Sequence, residues 1–99
     1  MTDSTISIVA IGGSTRPDSS SERALRLAAR GARDAGAHLT TITGRELMLP
    51  IYDTETSDRT PQALALVEAI RGAHGLLVAS PSYHGGVSGM MKNALDYIE

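Results

Sequence analysis

The feature that most constrains this chain is a repeated alternation of short apolar runs with amphipathic stretches. The first run, ISIVAIGG (residues 6–13), is nearly continuous in branched and small apolar residues and ends in paired glycines. Such a run, too short for a core helix and with no polar alternation, reads as a strand buried on both faces. The next stretch, SERALRLAARGARDAG, places Ala24, Leu25, Leu27, Ala28 and Ala32 at helical spacing and sets Gly36 where a helix would stop. AHLTTIT (residues 37–43) reads as a second strand. It is followed by an irregular stretch, GRELMLPIYDTETSDR, whose turn-forming residues and Pro50 suggest a surface excursion. In TPQALALVEAIRGA, Thr60 is a plausible N-cap, Pro61 suits the first helical position, and Leu64, Val67 and Ile70 mark an apolar face. HGLLVASP (residues 74–81) is the third buried run. After the loop SYHGG, the stretch VSGMMKNALDYIE returns to helical spacing through Met91, Leu95 and Ile98. The order β-α-β-α-β-α predicts an α/β fold: a parallel sheet, covered on both faces, with right-handed crossovers.

Composition narrows the function classes. Nine lysines and arginines against 11 acids leave a formal net charge of -2, with no block of like charge to track a nucleic-acid backbone or an anionic membrane. Neither partner is expected. The absence of cysteine excludes disulfides, thiolate metal sites and cysteine nucleophiles. His38, His74 and His84 lie far apart, without the short spacing of a metal-binding pair, so no metal is expected. The opening residues show no basic segment leading into an apolar signal core, and no apolar run approaches the roughly 18 residues of a membrane span. The expected setting is cytoplasmic.

The stretch IGGSTRPDSSSERAL carries the chemistry. A loop that leaves the carboxyl end of a first parallel strand and enters a helix is where open α/β sheets bind anions, because helix N–H groups point outward there and the helix dipole is positive. Gly12 and Gly13 allow a sharp turn and close approach of a ligand. Ser14, Thr15, Ser19, Ser20 and Ser21 offer hydroxyls, and Arg16 offers a charged fork to phosphate oxygens. Two readings stand side by side for Ser19: a ligand to phosphate, or the N-cap of a capping box in which Glu22 reaches back. Arg16 is either a phosphate ligand or a solvated surface residue. No lysine followed by Ser or Thr completes a P-loop, and no third glycine or acid closing the second strand completes a dinucleotide fingerprint. A phosphate monoester fits the loop better than a nicotinamide dinucleotide.

With strand order 2-1-3, the loop SPSYHGG after the third strand faces the same crevice as the first loop. There Pro81 stiffens the turn, Tyr83 can lie beside a flat ring, and Gly85 and Gly86 let backbone N–H groups approach ring heteroatoms. A planar heterocycle bearing one phosphate would bridge the two loops. Together, GSTRPDSS and SPSYHGGVSGMMKNALDY resemble the NADPH-dependent FMN reductase family of flavodoxin-like proteins, which includes quinone, chromate and azo-dye reductases. The resemblance covers essentially the whole chain.

This resemblance implies a flavodoxin-like three-layer α/β/α fold with non-covalently bound FMN and with NADPH as hydride donor. It implies that Ser14, Arg16, Ser19 and Ser21 hold the FMN phosphate, and that Pro81, Ser82, Tyr83, His84 and Gly85 line the isoalloxazine ring. It also implies a homodimer or homotetramer acting on a small electron acceptor. The flavin supplies the chemistry, so no catalytic side chain is assigned. His84 either touches the ring or simply bonds to backbone. Lys92 and Asp96 are spaced as an i,i+4 pair, Tyr97, Met90 and Met91 should pack against neighbouring elements or a partner subunit, and His38 and His74 should have no chemical role.

A fold of this type has five strands in order 2-1-3-4-5, whereas this sequence supplies three. The expectation is a single, incomplete domain over residues 1–99, with strands four and five lacking, the third strand an exposed edge, and the last helix running to Glu99. Three functions follow: an FMN-dependent NAD(P)H oxidoreductase, a flavodoxin-like electron carrier, or a chain that binds no flavin and associates through its open sheet edge.

Overall fold

The computed structural model describes residues 5–98. Strands β1 (Ser7–Gly12), β2 (His38–Thr43) and β3 (Gly75–Ala79) form one parallel sheet in the order β2-β1-β3. In register, Val9 stands between Thr40 and Leu76, and Ile11 between Ile42 and Val78. Three helices connect and follow the strands: α1 (Ser20–Asp34), α2 (Pro61–Arg71) and α3 (Gly89–Asp96). The architecture is flavodoxin-like.

β1 is buried because both its faces are covered. Ala10 packs with Leu25 and Ala29 of α1, joined by Leu39, Leu77 and Ala79. Val9 and Ile11 pack on the opposite face with Leu66 of α2 and with Met91 and Ala94 of α3. The core is aliphatic throughout, as a chain with no Phe or Trp requires.

The buried stripe of α1 differs from the expected one. Leu25 and Ala29 are buried, Ala32 is half-buried, and Leu27 is 68% exposed. The i, i+4, i+7 line through Leu25 faces the sheet, and Leu27 points off it. Likewise Leu64 of α2 is exposed while Ala63 and Leu66 are buried, and Ala94 rather than Leu95 continues the core line of α3. The ends match the expected signals more closely. Thr60 Oγ1 accepts the Ala63 N–H, and Gly36, at φ 103°, closes α1 with Gly36 N–H bonded to Arg33 O and Ala37 N–H to Ala32 O. That paired pattern is a Schellman motif, which needs a left-handed residue after the cap.

The stretch after β2 is anchored rather than a free excursion. A 3-10 turn, Gly44–Leu47, drives Leu47 into the core at 1% exposure. Beyond it, the Asn93 side chain donates to Leu49 O and Pro50 O and accepts the Tyr52 N–H at 2.8 Å, while Tyr97 Oη donates to Pro50 O at 2.7 Å. Arg59 lies over the Tyr52 and Tyr97 rings, which meet edge to face at 5.0 Å. Helix α3 ends at Asp96 with Tyr97 as its cap, short of Glu99, which lies outside the described residues.

β3 stands at the edge of the sheet. Leu77 and Ala79 pack toward α1, but Leu76 and Val78 are 41% and 49% exposed. The third run is therefore covered well on one face only, in keeping with the expected open edge.

Candidate functional site

The loops after β1 and β3 converge at the carboxyl end of the sheet. Between them lies an open cavity of about 340 Å³ lined by Ser14, Arg16, Ser19, Ser20, Ser21, Pro81 and Tyr83. Parallel strand order alone brings this about, since β1 and β3 are neighbours and both point their carboxyl ends the same way.

The first loop is built by its own side chains. Ser14, 7% exposed, accepts the Arg16 N–H on its Oγ at 3.2 Å. Ser19, 5% exposed, caps α1 by accepting the Glu22 N–H at 3.1 Å and shares a hydrogen bond with Ser21 Oγ at 3.2 Å. A serine oxygen that accepts a backbone N–H still carries a hydrogen to donate, so capping and anion binding are compatible in one hydroxyl. Glu22 reaches back as expected but one residue further than a capping box requires: its carboxylate accepts the Asp18 N–H, at 2.9 Å, rather than that of Ser19. Asp18 itself stands in the left-handed region, at φ 62°.

Gly12 and Gly13 serve a different purpose from the expected turn. Neither has a positive φ, and the left-handed residue of this loop is Asp18. A Cβ on Gly13 would lie 2.7 Å from Ser88 Oγ and 2.9 Å from Met91 Cβ, so this glycine lets the loop lie directly on the start of α3. The Gly13 N–H bonds to Ala79 O at the end of β3, carrying the β1–β3 pairing one residue beyond β1.

Charge is arranged to leave one cation facing the cavity. Asp18 and Glu22 are both paired with Arg26, away from the lining. Arg16 is the charged residue of the lining, exposed, and its guanidinium has no partner among the described residues. With the first N–H groups of α1 beside it, the donor set is hydroxyls, helix amides and one guanidinium, which suits a dianionic phosphate.

The second loop is a hairpin. Tyr83 and Gly86 exchange both N–H···O bonds at 3.0 Å, and the two residues between them, His84 at φ 53° and Gly85 at φ 81°, carry the paired positive φ of a type I′ turn. Gly85 is required by that turn. The Gly86 N–H is taken by Tyr83 O, so it is not free to meet a ring heteroatom. Pro81 and the half-exposed Tyr83 ring face the cavity, whereas Ser82, His84 and Gly85 are exposed and do not line it. Ser20, left out of the set the resemblance implies, does line it. No group of three or more His, Cys, Asp or Glu side chains among the described residues could hold a metal.

A family model described as NADPH-dependent FMN reductase matches residues 6–99, taking in both loops and every strand. The chain belongs to the NADPH-dependent FMN reductase family. Among curated relatives of this FMN reductase family member, a 2-hydroxy-1,4-benzoquinone reductase of Burkholderia sp is 33% identical over 94 residues, covering 93% of this chain and 49% of the relative. An NADPH azoreductase of Bacillus sp. (strain OY1-2) is 37% identical over 51 residues, covering 50% of this chain and 29% of the relative. The chain thus spans about half or less of the length of these relatives.

The remaining residues singled out in the sequence have structural places. His74 Nδ1 accepts the Ser7 N–H at 3.0 Å at the foot of the sheet, His38 is the exposed first residue of β2, and Lys92 pairs with Asp96 on the exposed side of α3. Met91 is core, and Tyr97 is held by Pro50. Asn93 and Ser80 carry the most consequential bonds that sequence reasoning passed over. Both fall inside SPSYHGGVSGMMKNALDY, but Asn93 bonds to backbone more than 40 residues away and Ser80 reaches the Ser88 N–H across the loop, partners that the motif does not announce.

Proposed function

We propose that this family member is an FMN-dependent NAD(P)H oxidoreductase acting on a quinone, a free flavin or another small acceptor. The observation that carries the reading is the cavity that joins Ser14, Arg16, Ser19 and Ser21 on one wall to Pro81 and Tyr83 on the other. When bound there, FMN would supply the relay of reducing equivalents from NADPH to the acceptor.

The residues of this chain bind and orient. Ser14 and one of the Ser19–Ser21 pair, the other hydrogen being held between the two, donate to the phosphate, and Arg16 places its guanidinium on it with charge-assisted bonds. Pro81 and Tyr83 bound the ring, Tyr83 by lying against its flat surface. Ser82, His84 and Gly85 reach the ring only at its rim, from the exposed tip of the hairpin. The names of the two relatives support quinone and azo compounds as the acceptor class. A cytoplasmic setting fits a reaction fed by NADPH. Association into dimers or tetramers is part of the reading.

The test is to add FMN to the purified chain, desalt, record flavin absorbance, and follow NADPH absorbance with a quinone acceptor. Retained flavin with NADPH turnover is expected. Retained flavin without turnover would instead indicate an electron carrier, and no retention at any protein concentration would sink the reading.

A further inference from the structure

The hairpin that carries Tyr83 is fastened at its base by a residue outside the cavity. Ser80 Oγ donates to Pro81 O at 2.9 Å and accepts the Ser88 N–H at 2.8 Å. One hydroxyl therefore spans the two ends of the 80–88 loop. Ser88 is itself fixed: it is 2% exposed, caps α3 by accepting the Met91 N–H, and lies under Gly13 of the first loop. Through Ser80, the hairpin is referenced to the same helix start on which the phosphate loop rests.

We propose that Ser80 is a positioning residue, whose hydroxyl sets where the Pro81–Tyr83 wall stands relative to the wall formed by Ser14, Arg16 and Ser19. The inference rests on FMN occupying the cavity, as argued above. Its physical basis is that only a group able to donate and accept at once can serve both Pro81 O and the Ser88 N–H. The hairpin has little else to hold it. Its tip is exposed, and Tyr83 is 56% exposed. Its Tyr83–Gly86 bonds define its shape but not its placement on the sheet. Alanine at position 80 keeps that shape and frees the placement. Threonine keeps the hydroxyl.

The experiment compares the full chain with Ser80→Ala and Ser80→Thr. Three quantities are read: FMN affinity by fluorescence titration, the visible circular dichroism of the flavin at saturation, and the thermal midpoint. Ser80→Ala is expected to weaken FMN binding about tenfold, as for loss of a hydrogen-bonded constraint, and to alter the flavin dichroism even at saturation. Ser80→Thr should retain both wild-type values. Wild-type affinity and dichroism in Ser80→Ala would overturn the proposal. So would a lowered thermal midpoint with unchanged dichroism at saturation, which would mark Ser80 as a purely structural contact. A wild-type chain that takes up no FMN defeats the functional reading itself, and this inference with it. That outcome is separate from one in which wild type binds and Ser80→Ala binds equally well.

Discussion

The loops after β1 and β3 end at one cavity but are held in place by different means. The first is packed: Ser14 and Ser19 are nearly buried, their oxygens engaged by the loop's own backbone, and Gly13 leaves no space between the loop and α3. The second is an exposed hairpin whose tip is open and whose place is set by a hydroxyl at its base. A phosphate has fixed geometry and several strong acceptors, so a preset cradle of donors suits it. A ring face needs contact area more than directional bonds, and a hairpin that can shift slightly provides it. Rigidity sits at the charged end of the site and latitude at the apolar end.

The sharpest way to break this contrast is to add one methyl group to each loop. Gly13→Ala must push apart Ser88 and Met91 and should destabilise the fold by about 3 kcal/mol, the upper part of the range for overpacking. Gly86→Ala, whose Cβ would meet no atom closer than 3.9 Å, should change stability by less than about 0.5 kcal/mol. Urea denaturation of both variants measures the difference, and equal effects would show that the two loops are packed alike.

Next in size is Arg16→Ala. Its side chain is exposed and without a partner among the described residues, so folding stability should hold, while FMN affinity should fall by roughly 1.5 to 3 kcal/mol if a charged hydrogen bond is lost. Titration calorimetry alongside a thermal scan separates the two. An unchanged affinity would remove Arg16 from the cradle.

Ser19→Ala removes the N-cap of α1 and should cost about 1 kcal/mol of stability, together with weaker FMN binding. A loss of stability with FMN affinity intact would leave Ser19 as a cap alone and narrow the rigid cradle to Ser14, Arg16 and Ser21. Smallest is His84→Gly. Its φ of 53° is a conformation glycine adopts freely, so the hairpin should gain about 0.5 kcal/mol, read as a small rise in thermal midpoint. FMN affinity should stay close to wild type, because His84 lies outside the cavity.

Much of this contrast could be read from residues alone, and the reason lies in range. Ser19 and Gly36 act on atoms within five residues of themselves, so their spacing in the chain is their geometry in space. The His84-Gly85 turn is also local: SYHGG reads as a turn, and the structure adds that both its central residues are left-handed. At Gly13 the structure shows close packing where the sequence suggests a turn. This glycine's need for space comes from Ser88 and Met91, more than 70 residues away, and nothing near Gly13 announces them. Leu47 and Asn93 follow the same rule. Leu47 lies in what reads as an irregular excursion, and it is buried because that stretch packs against Met91 and Ala94 of α3, whose Asn93 in turn bonds to the backbone beyond it.

By itself the sequence determined the class of fold, the strand-loop-helix that carries the serines and the arginine, and the resemblance that joins that loop to a second one. These follow from periodicity, capping and turn chemistry, which depend on neighbours in the chain. The tertiary structure alone decided that both loops rest on the first turn of α3 and that Ser80 links one of them to it. Each of these depends on which atoms of distant segments come within van der Waals or hydrogen-bond distance. Such distances change by whole ångströms with small differences in how the helices sit on the sheet, while the local pattern of residues stays the same.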